Sequence, residues 1–132
     1  MISVKKRLVF LDSCILMLPA EKKLNLGQIE SLPFSSKVVI PEIVIKELQN
    51  LVENGKPSVQ NKARLALAIA QKFEIIPSRT EGHTDDELVR LAKEYDGIVA
   101  TTDVNLRKRL HKEGLLYVTL VGKKGLKLVG EI

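Results

Sequence analysis

Short apolar runs alternate with longer amphipathic segments along the chain, and this alternation limits the fold more than any other feature. Five runs are rich in β-branched residues and lack regular polar alternation: residues 7–11, 37–40, 73–76, 97–100 and 115–121. Such runs are typical of strands that are buried on both faces of a parallel sheet. A hairpin turn at 122–125 predicts one further short strand, 126–129.

Helical signals fill the segments between these runs. We predict helices over residues 41–54, 59–72, 84–95 and 103–113. Pro41 suits a first helical position, and Thr84 with Glu87 forms a capping box. Gly114 suits a C-terminal cap. Strands alternating with helices predict an α/β fold with three layers, α/β/α, around a central and mostly parallel sheet of about five strands.

Length and composition predict one globular domain that spans residues 1–132. Aromatic residues are only 4% of the chain, which predicts an aliphatic core and argues against a stacked-aromatic platform for single-stranded nucleic acid. Cys14 is the only cysteine, so a disulfide or multi-cysteine site within the chain is excluded, and a buried inert thiol is expected. The net charge of +5 permits a polyanionic partner, but a lysine-rich surface explains it equally well.

The sequence contains no apolar stretch long enough for a membrane span and no convincing signal peptide. We therefore expect a cytoplasmic protein with no membrane partner.

Carboxylates stand near the predicted carboxyl ends of the strands, where ligands bind in parallel sheets. Asp12 follows the first strand, and Asp103 follows the fourth. Glu47 lies two turns into the helix after the second strand, and Asp86 lies in the first turn of the helix before the fourth. Each acid alone can be explained as a cap, a turn former or a surface charge.

Asp12 is the exception, because it interrupts an apolar segment and a charge there needs a partner. Together the four acids predict a divalent-metal site, since clustered carboxylates repel one another and Mg²⁺ takes oxygen ligands. Other chemistries fit less well: phosphate-binding glycine loops are missing, Ser13 has no evident histidine partner, and His83 and His111 lack metal-ligand spacing. Both histidines are expected at the surface.

The sequence resembles the PIN-domain endoribonucleases. The similar segments are LVFLDS with Asp12, VVIPEIVIKEL with Glu47, DELVRLAKEYDGIVATTD with Asp86 and Asp103, and LRKRLHKEGLLYVTL, and they cover nearly the whole chain. The interval of 17 residues between Asp86 and Asp103 agrees with the last two acids of that family and favours Asp86 over Asp85.

Two positions depart from the usual family pattern. Ser13 stands where threonine is usual and keeps the hydroxyl, whereas Thr102 stands where asparagine is usual and removes a supporting amide. The resemblance implies a PIN-like, Rossmann-related fold and hydrolysis of RNA phosphodiester bonds by a Mg²⁺- or Mn²⁺-dependent endoribonuclease. It also implies the catalytic and metal-binding residues, which are Asp12, Glu47, Asp86 and Asp103.

Around these acids we expect a supporting shell of Ser13, Thr101 and Asn105. A rim of basic residues would contact RNA, and each could equally be a plain solvated charge: Arg107, Lys108, Arg109 and Lys112, with Lys22, Lys23 and Lys56 in loops.

Within the family, the motifs look most like the small-subunit rRNA-processing branch and its stand-alone archaeal relatives, so the expected partner is rRNA or another structured RNA. The alternatives are a VapC-type toxin ribonuclease controlled by an antitoxin and a non-catalytic PIN-fold RNA-binding module. A ribosome-assembly protein is a further candidate partner. The apolar residues that could serve either a homodimer interface or the core are Leu16, Leu18, Leu24 and Leu26.

Overall fold

A computed structural model describes residues 7–21, 36–121 and 125–129. Its strands are β1 (Arg7–Leu11), β2 (Ser36–Pro41), β3 (Glu74–Ile76), β4 (Ile98–Ala100), β5 (Tyr117–Val121) and β6 (Gly125–Val129). Its α-helices are α1 (Ser13–Met17), α2 (Glu42–Asn54), α3 (Pro57–Ala70), α4 (Thr84–Tyr95) and α5 (Val104–Lys112), and a 3-10 helix, Leu18–Glu21, follows α1.

The six strands form one sheet in the order β3-β2-β1-β4-β5-β6. Strands β1 to β5 pair in parallel, and β6 pairs antiparallel with β5. The chain builds outward from β1 to β3 on one side and then returns to add β4 on the other. Right-handed crossovers therefore place α1 to α3 on one face and α4 and α5 on the opposite face. The predicted α/β fold is confirmed, with the hairpin strand β6 as the sixth strand.

Apolar side chains from the central strands form the core. Val9, Phe10 and Leu11 of β1 are fully buried, and so are the residues of β4. The prediction of burial on both faces is wrong for β3, where Glu74 and Ile75 are exposed. The physical reason is its place at the edge of the sheet, where one side of the strand has no neighbour among the described strands.

The starts of α2, α3 and α5 and the cap of α4 differ from the predictions; Asp103, predicted as the first residue of α5, is its N-cap. Pro41 is the N-cap of α2 rather than its first residue, and Pro57, predicted in a loop, begins α3. The capping box at Thr84 is wrong: His83 is the N-cap of α4, and the carboxylate of Glu87 accepts a hydrogen bond from the N–H of Arg79. The five-residue α1 was not predicted.

Two glycines stand where a side chain would not fit the backbone, Gly114 after α5 and Gly97 before β4. Gly114 after α5 has φ +71, as the predicted C-cap requires, and its N–H donates to the carbonyl of His111. Gly97 lies against β1, where an added Cβ would come within 2.5 Å of the Phe10 ring. This close approach allows β4 to pair beside β1.

None of the described helices has the length and apolar character that crossing a membrane requires.

Candidate functional site

Asp12 stands at the point where the strand order reverses, between β1 and β4. Its N–H donates to the carbonyl of Ala100 at 3.0 Å, which continues the pairing of the two strands by one residue. The side chain is 5% exposed and caps α1 by accepting the N–H of Ser13 at 2.8 Å. Crevices at such a reversal are the usual ligand sites of parallel sheets.

Thr101 follows β4 and connects two of the predicted acids. Its buried hydroxyl donates to Oδ2 of Asp12 at 2.7 Å and accepts the N–H of Asp103 at 3.1 Å. Asp103 is exposed and caps α5, with Oδ1 accepting the N–H of Leu106 at 2.9 Å. Thr101 therefore connects the carboxylate of Asp12 with the backbone of Asp103.

Glu47 projects from α2 towards the same edge because it shares a helix face with the buried Ile43 and Val44. Both of its carboxylate oxygens accept hydroxyl hydrogen bonds. Ser13 donates to Oε1, and Thr84 donates to Oε2 at 2.9 Å. The hydroxyl partners of Glu47 are therefore Ser13, which the sequence analysis named, and Thr84, which it assigned to a capping box instead.

The first turn of α4 carries two adjacent aspartates that face different partners. Asp85 is half-buried, and the charges of Asp103 and Glu47 act on it. Asp86 is exposed and forms an ion pair with Arg109 of α5. The structure therefore brings Asp85, rather than the predicted Asp86, to the other carboxylates.

Helix periodicity explains this difference and could have revealed it from the sequence. Asp85 precedes the buried Leu88 and Ala92 by three and seven residues, so all three lie on the inward face of α4. Asp86 precedes the buried Val89 by three residues but Arg90 and Lys93 by four and seven, which puts it nearer to the solvent side. The length of the sequence interval to Asp103 does not indicate which side of α4 each aspartate faces.

Burial and mutual repulsion raise the affinity of this edge for positive charge. Burial, with a smaller contribution from Glu47, raises the pKa of Asp12 from 3.8 to about 6, against the opposing hydrogen bond from Thr101. The pKa of Asp85 is also raised, first by burial and then by Asp103 and Glu47. The hydrogen bond from Arg109 instead lowers the pKa of Asp86.

The donor set suits a hard divalent cation, because these carboxylates offer oxygen ligands whose repulsion a cation would relieve. Ser13, Thr84 and Thr101 supply hydroxyl partners to the carboxylates in the present arrangement. Across residues 7–21 and 36–121, no three His, Cys, Asp or Glu side chains lie together in a group able to hold a metal ion. The chemistry of the residues fits an ion, while their conformation is not that of a closed coordination shell.

An open groove of about 320 Å³ adjoins the acids between α2, α4 and α5. It is lined by Glu47, His83, Thr84, Asp85, Asp86 and Arg109. Arg109 places a cation on the rim of this acidic groove, where a phosphate would otherwise meet only negative charge. His83 and His111 are both exposed, as expected.

The other predicted basic residues are distributed around α5. Arg107 is half-buried, and Lys108 and Lys112 are exposed. Lys56 is the exposed N-cap residue of α3, and Lys22 and Lys23 lie outside the described residues. Asn105 is exposed in the first turn of α5 and is not among the residues whose hydrogen bonds hold Asp12 and Glu47.

Cys14 takes part in the same hydrogen-bond network. Its thiol lies 3.4 Å from Oδ2 of Asp12 and accepts the N–H of Thr102 at 3.3 Å. Burial, followed by the charge of Asp12, raises the pKa of this thiol to about 11, which fits an inert thiol. Leu16 and Leu18 are buried in the core, and Leu24 and Leu26 lie outside the described residues.

Two known proteins are similar in sequence to this chain. Ribonuclease VapC9 of Archaeoglobus fulgidus is 29% identical over 112 residues, which cover 84% of this chain and 81% of that protein. The uncharacterized PIN and TRAM-domain containing protein YacL of Bacillus subtilis is 33% identical over 81 residues, covering 54% of this chain and 22% of YacL.

Two solved structures share its fold. The PIN domain endonuclease Utp24 superimposes with a TM-score of 0.75 at 24% identity, covering 95% of this chain and 92% of that one. A domain of a functionally unknown protein from Methanocaldococcus jannaschii superimposes with a TM-score of 0.66 at 18% identity, covering 95% and 99%. A family model described as a PIN like domain matches residues 9–123. The chain therefore belongs to the PIN-like domain family, as its sequence motifs predicted.

Proposed function

We propose that this protein is a divalent-metal-dependent endoribonuclease that hydrolyses RNA phosphodiester bonds. The observation that carries the proposal is the approach of carboxylates from separate segments towards the strand-order reversal, with Asp12 buried and Asp85 under the charge of Glu47 and Asp103. A scaffold protein has little need for such mutually repelling acids. Membership of the PIN-like domain family and similarity to a ribonuclease also support the proposal.

The proposed roles follow from the position of each acid. Asp12, Glu47 and Asp103 would hold the principal ion, and Asp85 takes the place that the sequence reading gave to Asp86. A bound Mg²⁺ or Mn²⁺ would supply Lewis-acid stabilisation of the phosphate and an activated water. Hydroxyl groups beneath the acids orient them, as the hydrogen bond from Thr101 to Asp12 does. Arg109 on the rim offers a cation to the substrate phosphate.

The proposed substrate is RNA that undergoes maturation in the cytoplasm, and rRNA is the first candidate. The support is the resemblance of the motifs to the rRNA-processing branch and the net charge of +5, which favours a polyanionic substrate. Cleavage of precursor rRNA should therefore be compared with cleavage of an unrelated RNA of equal length.

Substitution of the two best-placed acids tests the nuclease proposal. Asp12→Asn and Asp103→Asn should each abolish RNA cleavage that depends on Mg²⁺ or Mn²⁺, while circular dichroism remains that of the native protein. Asp96→Asn is the matched control, because Asp96 is an exposed αL residue after α4 that pairs with Arg7. Cleavage that persists in both site variants would refute the proposal. Salt-dependent RNA binding without any metal-stimulated cleavage would instead identify a non-catalytic RNA-binding module.

A second candidate function is that of a VapC-type toxin ribonuclease. The observation in its favour is the 29% identity to Ribonuclease VapC9 over 84% of this chain. This role predicts a small antitoxin gene beside the gene for this protein, and growth arrest on induction that Asp12→Asn abolishes. Normal growth on induction of a cleavage-competent protein would exclude it.

A further inference from the structure

A second groove, of about 460 Å³, runs beside the exposed face of α5. It is lined by Val104, Arg107, Lys108, His111 and Tyr117. The four helical residues are spaced i, i+3, i+4 and i+7, so they form one continuous stripe along α5. Tyr117 at the start of β5 closes the groove on the other side. This stripe does not include Arg109, which pairs with Asp86 at the acidic groove.

Arg107 has an unmet need for a hydrogen-bond acceptor. Its Nε is buried and has no hydrogen-bond partner within the part of the chain that the structure describes. A buried donor on a charged group is costly unless an acceptor satisfies it. With Lys108 and His111 beside it on the same groove, the natural acceptor is an anion.

The remaining lining residues are apolar or aromatic. Val104 is 51% exposed, and it lies in the same groove as the Tyr117 ring. A ligand that fits must therefore combine a flat apolar part with negative charge. Nucleotides of single-stranded RNA have this combination, since one base can pack on a single aromatic ring, without a platform of several rings, while cations contact the backbone.

The groove begins next to Asp103, one of the acids. Val104 directly follows Asp103, and the stripe from Val104 to His111 extends about 10 Å along the helix axis at 1.5 Å per residue. An RNA strand whose phosphate lies at the carboxylates could therefore continue directly into this groove.

We propose that this groove binds one or two nucleotides of single-stranded RNA next to the cleavage point. Tyr117 and Val104 contact a base or ribose, and Arg107, Lys108 and His111 contact phosphate. The proposal rests on the proposed function only in taking RNA as the ligand. It adds a specific subsite, and it divides the basic residues of α5 into a stripe that binds flanking RNA, Arg109 at the acids, and Lys112 outside the lining of both grooves.

Fluorescence anisotropy with a labelled single-stranded RNA tests the subsite without requiring cleavage. All measurements use the full chain carrying Asp12→Asn, in EDTA, over a range of salt concentrations. Arg107→Gln and Lys108→Gln should each lower the slope of log affinity against log salt by about 0.7, and together they should weaken binding about tenfold. Lys112→Gln, an exposed lysine of the same helix outside the groove, is the charge-matched control and should have a smaller effect.

The aromatic contact is tested separately. Tyr117→Leu should weaken binding about tenfold without changing the salt slope, while Tyr117→Phe keeps the ring and should bind as the parent does. A 4-thiouridine placed in the RNA should cross-link to the peptide that contains Tyr117.

The outcomes distinguish this proposal from the nuclease proposal. If cleavage needs Asp12 but RNA affinity and salt slope are unchanged in the Arg107, Lys108 and Tyr117 variants, the subsite is refuted and the nuclease stands. An acidic protein partner would then be the better occupant. If no substrate is cleaved but these variants weaken binding as expected, the subsite stands on a non-catalytic RNA-binding protein.

Discussion

The hydroxyl of Thr101 donates a 2.7 Å hydrogen bond to the carboxylate of Asp12, across the strand-order reversal between β1 and β4. The same hydroxyl oxygen accepts the N–H of Asp103 at 3.1 Å. One fully buried side chain therefore fixes the carboxylate that follows one strand relative to the backbone of the acid that follows its neighbour. Any chemistry that uses both acids depends on this connection.

Replacing Thr101 by valine should reduce activity more than it disturbs the fold. Valine has nearly the same shape but leaves Asp12 and the N–H of Asp103 without the hydroxyl, at a cost of about 1–3 kcal/mol in the free energy of unfolding. We expect RNA cleavage to fall about 10- to 100-fold and to need more metal. Thr101→Ser keeps the hydroxyl and should retain most of the stability and most of the cleavage activity. A valine variant with native metal dependence and rate would contradict this role.

The adjacent aspartates of α4 should differ sharply on substitution. Asp85→Asn removes a carboxylate that faces Glu47 and Asp103, so cleavage should fall at least about tenfold. Asp86→Asn removes only the partner of Arg109 at the surface and should change the rate much less. The measurement is the rate of single-turnover cleavage at saturating Mn²⁺. A greater loss for Asp86→Asn would restore the assignment made from the sequence interval.

The sequence predicted the parts of this protein that depend on local pattern. All of the predicted strands were found, because buried runs such as 7–11 are apolar whatever they pack against. Asp12 and Asp103 could be placed for the same reason, since Asp12 directly follows such a run and Asp103 lies three residues after the end of another. The α/β class followed from the alternation itself.

Features that depend on tertiary contacts were outside its reach. Thr84 with Glu87 has the pattern of a capping box, yet Thr84 donates to Glu47, which lies 37 residues away. Glu87 meanwhile binds Arg79 and Arg90 instead of the helix start. The local sequence pattern predicts that Thr84 and Glu87 bond to the start of their own helix. In the folded chain Thr84 instead bonds to Glu47, and rules of local residue spacing do not predict a partner so far away in sequence.

Asp12→Asn should stabilise the protein at neutral pH. The pKa of Asp12 is about 6 in the fold against 3.8 ordinarily, so the folded state holds this proton more tightly than the unfolded chain. The associated stability is fully present below pH 3.8 and is lost as the pH rises through about 6. At pH 7.5 the buried charge costs up to about 3 kcal/mol, at about 1.4 kcal/mol for each pKa unit. Urea unfolding in EDTA should therefore give a larger free energy of unfolding for Asp12→Asn than for the native protein at pH 7.5, and nearly equal values at pH 4.

Metal should reverse this order. Mn²⁺ bound at the acids would stabilise the native protein through binding to the folded state, while Asp12→Asn would gain less. The measurement is the melting temperature with and without Mn²⁺ at pH 7.5. Equal gains in both proteins would show that the stabilising ion lies elsewhere, even if Asp12→Asn is more stable in EDTA.

Glu87→Gln should destabilise the protein by about 1.5–3 kcal/mol, because Glu87 is 4% exposed and accepts charge-assisted hydrogen bonds from Arg90. The hydrogen bond from Arg90 lowers the pKa of Glu87 below 4.5, so its contribution is present above that pH and is lost as the pH falls through the lower, folded value. The loss should therefore be seen in urea unfolding at pH 7 and should shrink in strong acid.

Glu94→Gln is the matched control, since Glu94 pairs with the same arginine while 52% exposed, and it should change stability by no more than about 1 kcal/mol. Glu87 also accepts the N–H of Arg79 at 2.7 Å, which ties down the segment leading to His83 and Thr84 at the acidic groove. Glu87→Gln should consequently lower the rate of RNA cleavage, whereas Glu94→Gln should not. Equal effects of the two substitutions on stability and rate would show that the buried carboxylate has no special role in holding this segment.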